Sequence, residues 1–390
     1  MKQSSHSFLF ITAIAFICGA CQHSIDKLPC IDVRKIYPDK EILLPEIADI
    51  SYFVPCSDDG FLYNGTIRSI TQKRIVIADF DSGTILFFAH DGTAISHFNH
   101  QGNGPKEYRR TRHIFYDEKE DDLFLIDDSK QVIQVYSSLG EHKRELTLPQ
   151  GTRINNDIIS LDDCSLMFYD TGIEYRRAMV GDLSIAVDTA PFYLISKKDG
   201  AVIDHFELRI PSVFLGIYLN GLPLPGNKRY LTKCNEGALL CIPENDTVFL
   251  YNKEQSLIPV VRKAPLAIST YPVSYLNNCI DMGSHLFSEV YEVHKGEEFA
   301  LDFPVKYYMM NKNTGDVVHP KLLLPDYQGK IFIISPNSRN RNFENIYYFE
   351  LDLLELKEAY TQDRLSGKLK ELVVTLKEDD NNVFVLAHFK

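Results

Sequence analysis

Apolar residues along most of the chain fall into short runs of four to six, closed by Asp, Asn or Gly, and two of these stretches are near copies of one another. Arg74-Ile-Val-Ile-Ala-Asp79 passes through Phe80-Asp81-Ser82-Gly83 into Thr84-Ile-Leu-Phe-Phe88 and ends at His90-Asp91-Gly92. Asp122-Leu-Phe-Leu-Ile-Asp127 passes through Asp128-Ser129-Lys130-Gln131 into Val132-Ile-Gln-Val-Tyr136 and ends at Leu139-Gly140. Asp79 and Asp127 are 48 positions apart, as are Gly92 and Gly140. Each copy predicts two strands joined by an Asp-rich turn whose carboxylate caps backbone amides, then a glycine turn that reverses the chain. A period of this length fits propeller blades rather than helical repeats.

Weaker copies follow: Phe192-Tyr-Leu-Ile195 ending at Asp199-Gly200, Thr247-Val-Phe-Leu-Tyr251 ending at Asn252-Lys253, and Lys306-Tyr-Tyr-Met-Met310 ending at Asn313-Thr314-Gly315. One such unit cannot bury both its faces, and radial stacking closes the series while leaving short edges. The pattern predicts an all-β, six-bladed β-propeller, with seven as the alternative count. The last strand, Asn382 to Ala387, is expected to pair with a strand near Asp49-Ile-Ser-Tyr-Phe53 and so close the ring. Glu350 to Leu372 carries apolar residues at helical spacing among many charges, which predicts a small helical insertion near the C-terminus.

The beginning of the chain reads differently. Lys2, the apolar run Phe8 to Ile17, and Gly19-Ala20 before Cys21 have the order of a signal peptide. The run is too short for a membrane-spanning helix, which needs about 20 residues. Gly-Ala-Cys resembles a bacterial lipobox, although Cys18 stands where Leu or Val is usual; the resemblance implies cleavage before Cys21 and acylation of its thiol. The expected organisation is a signal at residues 1–20, a tether at 21–45 and a propeller at 46–390.

Composition supports an all-β reading, with 21 Tyr, 24 Phe, 21 Gly and 18 Pro. A net charge of −12 gives no electrostatic reason to approach nucleic acid. Cys30, Cys56, Cys164, Cys234, Cys241 and Cys279 are irregularly spaced without a CxxC pair, which excludes a zinc ribbon and reads as scattered thiols. Cys234 and Cys241 flank the turn Asn235-Glu236-Gly237, and a tight hairpin there sets Cys241 nearer Leu231 than Cys234.

The most specific string is Gly102-Asn103-Gly104-Pro105-Lys106-Glu107-Tyr108. Gly102, Gly104, Pro105, Glu107 and Tyr108 read as a structural turn, with the glycines free to take positive φ and Glu107 accepting from nearby amides. A phosphate cradle fails, because a dinucleotide fingerprint needs glycine where Glu107 stands and a P-loop needs Gly-Lys-Ser/Thr opening a helix. This GxGPxEY pattern, followed by a strand, an acidic turn and an aspartate, resembles the six-bladed β-propeller lipoproteins of Bacteroidetes, which are NHL-like in shape. The resemblance is densest from Ser69 to Leu148. It implies a propeller in the cell envelope and no established catalytic residue.

Asp79-Phe80-Asp81-Ser82-Gly83 is not an EF-hand opening, since Thr84 and His90 stand where Gly and Glu are required. Aspartates gathered around a tunnel are the remaining route to a cation; no metal or cofactor is assigned. His97, His100 and His113 match no HExxH spacing, and Arg109, Arg110 and Arg112 form a basic patch suited to a carboxylate or sulfate or to neighbouring acids. No GxSxG elbow, catalytic-cysteine context or kinase signature occurs. Tryptophan is absent, leaving Tyr307, Tyr308, Tyr347 and Tyr348 as candidate sugar platforms. The leading expectation is a non-catalytic, lipid-anchored binding or scaffolding propeller, on the periplasmic face or surface of the outer membrane, whose partner is a peptide, glycan or envelope protein. The alternative is a lyase or hydrolase with its site at the central tunnel, which would gather several of Asp79, Asp127, His100, His113 and Arg110 into one pocket.

Overall fold

The computed structural model describes residues 28–57, 65–79, 81–110, 113–154, 158–173, 191–206, 208, 217–219, 222–224, 230–266, 273–293, 304–336 and 345–390. Six blade sheets follow one another along the chain, with a separate two-stranded hairpin, Ile217–Leu219 against Leu222–Leu224, between the third and fourth. Blade 1 comprises Gly65–Ile70, Arg74–Asp79, Ile85–Ala89 and Ala94–Phe98; blade 2 comprises His113–Asp117, Asp122–Asp127, Val132–Tyr136 and His142–Thr147. Blade 3 is Ile158–Ser160, Ser165–Tyr169, Phe192–Ser196 and Val202–Phe206. Blade 4 is Leu231–Cys234, Gly237–Cys241, Thr247–Asn252 and Leu257–Ala264, and blade 5 is Val273–Met282, His285–Val293, Val305–Asn311 and Val317–Leu323. The weaker sequence copies are the third strands of blades 3, 4 and 5.

Alternation along each second strand explains why these runs are apolar on both faces. In blade 1, Ile75 and Ile77 pack towards blade 6 while Val76 and Ala78 pack towards blade 2. In blade 2, Leu123 and Leu125 meet blade 1 while Phe124 and Ile126 meet blade 3. Ala238 and Leu240 of blade 4 face blade 3, and Leu239 and Cys241 face blade 5. The core is thus divided into six apolar interfaces, one for each neighbouring pair of blades, which settles the blade count at six.

Blade 6 joins the two ends of the chain: Val383–Phe389 pairs antiparallel with Ile346–Leu351 on one side and with Ala48–Phe53 on the other. Phe384 stands opposite Phe53, and Leu386 opposite Ser51. Between the first two strands of this blade lie two helices, Leu353–Thr361 and Gly367–Thr375. Asp352 caps the first by accepting the Glu355 amide at 3.0 Å, and Leu356, Ala359, Leu369 and Val373 bury against blades 5 and 6. Tyr360 lies on the first helix and is exposed.

The tether expected at residues 21–45 needs correction. Cys30–Asp32 pairs in parallel with the outer strand of blade 4, and Asp39–Leu43 pairs in parallel with the outer strand of blade 5. From residue 30 onward this segment is therefore a strap that covers two sheet edges before entering blade 6. Residues 1–27, including Cys21, lie outside the described residues.

Inner strands run in one direction, so the hairpins between first and second strands, and between third and fourth, fall at one end of the propeller. Second-to-third hairpins and blade-to-blade connections fall at the other. This division sorts every candidate side chain.

Candidate functional site

The residues singled out in the sequence lie at the second end, in blades 1 and 2. Asp79 ends the second strand of blade 1, and its Oδ1 accepts the amides of Asp81 at 2.9 Å and Ser82 at 3.2 Å. Asp127 is its counterpart in blade 2 and is fully buried. One oxygen accepts the Ser129 and Lys130 amides and the Ser129 hydroxyl, and the other accepts the Arg109 amide at 3.0 Å. Burial pushes this carboxyl up, but those hydrogen bonds outweigh it and hold it below the usual carboxylate range. His100 contacts the Gly140 carbonyl through Nε2 at 2.8 Å and stacks on Tyr136. Arg110 is half exposed and 4.0 Å from Asp128, while His113 opens the inner strand of blade 2. Arg112 lies outside the described residues.

Gly102 to Tyr108 binds these pieces together. Tyr108 is fully buried; its hydroxyl donates to the Gly83 carbonyl at 2.8 Å and accepts the His100 amide at 3.0 Å. Lys130 reaches back from blade 2 to the Gly104 carbonyl at 2.7 Å, and Tyr136 donates to the Lys106 carbonyl at 2.9 Å. Neither Gly102 nor Gly104 occupies the left-handed region, so the conformational reason expected for them is wrong. Close approach of Glu107 accounts for them instead: it folds back to accept the Gly104 amide at 2.6 Å, and a Cβ on Gly102 would lie 2.1 Å from its Oε2, the end of a flexible side chain. Gly102→Val is expected to displace the Glu107 carboxylate from the Gly104 amide and cost about 1 kcal/mol, the worth of that hydrogen bond. A thermal midpoint equal to that of the wild-type protein would refute this account of the turn.

Three of the four candidate sugar platforms, Tyr308, Tyr347 and Tyr348, are buried, so their rings serve the core rather than a ligand. Cys234 stands opposite Gly237 and Leu231 opposite Leu240, so Cys234 and Cys241 are not neighbours across the hairpin. Among the described residues no group of three His, Cys, Asp or Glu side chains could hold a metal ion.

The largest cavity described lies at the other end, where the first-to-second hairpins of blades 1 to 4 surround an open mouth of about 1060 Å³. Thr71 to Lys73, Tyr116 to Lys119, Ser160 to Cys164 and Lys233 to Asn235 supply most of its wall. A second cavity of about 640 Å³ adjoins it, sharing Asp117, Asp163, Cys164 and Lys197. Lys197, nearly buried, crosses from blade 3 to pair with Asp117 of blade 2 at 2.7 Å. Lys119 pairs with Asp163 at 2.7 Å in the open, which holds the Asp163 carboxyl below its usual range. Asp122 receives both Lys143 and Arg144; burial opposes its charge, and these two cations outweigh that effect. None of Asp79, Asp127, His100, Arg110 or His113 lines either cavity. Sequence reading missed these lysines because each is an ordinary turn residue. Their signal is positional: Lys119 and Lys197 sit on hairpins at this one end, the first between the first and second strands of blade 2 and the other between the third and fourth strands of blade 3.

The family model of a domain of unknown function, DUF4934, matches residues 28–388. The chain belongs to the DUF4934 family. No functionally curated protein matches it. A solved structure from Bacteroides fragilis NCTC 9343, named provisionally as an exported protein, is 16% identical with a TM-score of 0.61, covering 93% of this DUF4934 chain and 99% of its own. A member of the DUF4221 family from Bacteroides vulgatus is 9% identical with a TM-score of 0.49, covering 88% of this chain and 97% of its own. Virginiamycin B lyase from Staphylococcus aureus is 11% identical with a TM-score of 0.38, covering 67% and 74%. At these identities likeness shows the fold alone, and the last two are too distant to carry an argument.

Proposed function

We propose that this DUF4934 propeller is an exported, lipid-anchored binding module without catalysis of its own, which receives a partner at the charged mouth formed by blades 1 to 4. One observation carries the reading. The acids and the histidine best suited to general acid–base work, Asp79, Asp127 and His100, are engaged in turn hydrogen bonds and line no described cavity, whereas the mouth is wide and rimmed with charged side chains. An active site needs its acid and base facing one cavity where a substrate atom can sit, and none of these groups lines a described cavity. Anchoring rests on Gly19-Ala20-Cys21 after the short apolar run.

Expression in a bacterial host with labelled fatty acid tests the anchor: the wild-type protein takes up label, and Cys21→Ser does not. Label retained by Cys21→Ser refutes acylation at this site. Recovery of a retained ligand in chemically altered form, read by mass spectrometry, refutes the non-catalytic part.

A further inference from the structure

The chain as a whole carries 41 basic residues against 53 acidic ones, yet the two adjoining cavities reverse that balance with eight cationic side chains and six acidic ones. Pairing sharpens the difference. Asp117 is matched by Lys197 and Asp163 by Lys119, while Asp122 is shared by two cations. Asp162 accepts the Cys164 and Ser165 amides, each at 2.8 Å. Lys73, Lys198 and Lys253 are exposed on three different hairpins and have no ionic partner among the described residues. A cleft with excess charge of one sign concentrates ligands of the other sign.

We infer that this trough binds an acidic peptide segment of a partner protein, a reading that rests on the binding function proposed above. Peptide chemistry fits the wall better than a glycan does. Among the described residues Tyr116 is the only aromatic one lining the two cavities, and its ring is committed, edge-on to Phe87 with Arg74 over its face and its hydroxyl on Asp121. A sugar platform is therefore missing among the described residues. The peptide's carboxylates meet Lys73 and Lys253. The two cavities, of about 1060 and 640 Å³, have room for a segment of several residues rather than a single small anion.

The test uses the purified exported protein and fluorescence anisotropy with three labelled probes: a deca-glutamate peptide, a deca-glutamine peptide and an oligogalacturonate of equal charge. The glutamate peptide is expected to bind, more weakly as salt rises. Its affinity should fall about 10-fold or more in Lys73→Glu/Lys253→Glu, because two attractions become repulsions. Lys106→Glu, at the opposite end of the propeller, should bind as wild type does. Both substituted lysines of the double variant are exposed and unbonded, so its melting temperature should equal that of the wild-type protein. Undiminished binding by the folded double variant overturns the location, and preference for the galacturonate overturns the peptide assignment. Binding of the glutamine peptide at the mouth, or of no probe, overturns the acidic chemistry while the binding-module reading stands. A probe recovered cleaved overturns that reading itself.

Discussion

Deleting residues 383–390 is expected to abolish the cooperative unfolding transition of the whole propeller, not only to loosen its last strand. Val383–Phe389 is the middle strand of blade 6, so its loss leaves Ile346–Leu351 and Ala48–Phe53 without a ladder between them. The strand also supplies two core interfaces at once: Val383, Val385 and Ala387 pack towards blade 5, and Phe384 and Leu386 towards blade 1. Each of these five side chains is at most 2% exposed. Truncating a single buried phenylalanine costs roughly 3–5 kcal/mol, and a whole domain is stable by only about 5–15 kcal/mol. Removing all five at the seam exceeds that margin. Phe384→Ala alone should keep a cooperative melt and lose roughly 3–5 kcal/mol. Urea unfolding followed by circular dichroism separates the cases, and a truncated protein with the wild-type midpoint would show that the ring does not depend on its closing strand.

Asp127→Ala, at the end of the propeller opposite the mouth, is expected to cost about 3 kcal/mol at neutral pH. Four donors converge on this carboxylate: the Arg109, Ser129 and Lys130 amides and the Ser129 hydroxyl. Asp127 is fully buried, so water cannot readily replace the missing acceptor. The effect also has a direction in pH. The folded-state carboxyl is held below its unfolded value, near 4. Its contribution is therefore fully present above about pH 4 and is lost as pH falls through the lower folded value. The stability gap between wild type and Asp127→Ala should narrow below about pH 4. Paired urea melts at pH 7 and pH 3 measure it; a gap under about 0.5 kcal/mol at pH 7, or one that widens in acid, contradicts the role assigned to this aspartate.

The sequence by itself determined the blades and their closure. Strands of five or six residues with both faces apolar, separated by Asp and Gly turns, are local signals, since alternation is fixed by backbone geometry and turn chemistry by neighbouring residues. It also placed the ends of the chain in one blade and the helical insertion beside them. Other features depended on residues far apart in sequence. The choice of six blades over seven rests on how six interfaces close on one another. The strap at residues 30–43 looked like a tether because parallel edge pairing with residues 262–264 and 319–323 leaves no local pattern. Gly102 looked like a residue chosen for its φ, whereas what fixes it is the carboxylate of Glu107 folding back into the space a side chain would fill. The mouth was invisible for the same reason: Lys73, Lys119, Lys197 and Lys253 are spread over 180 positions, each an ordinary polar turn residue, and only radial stacking brings their hairpins around one opening.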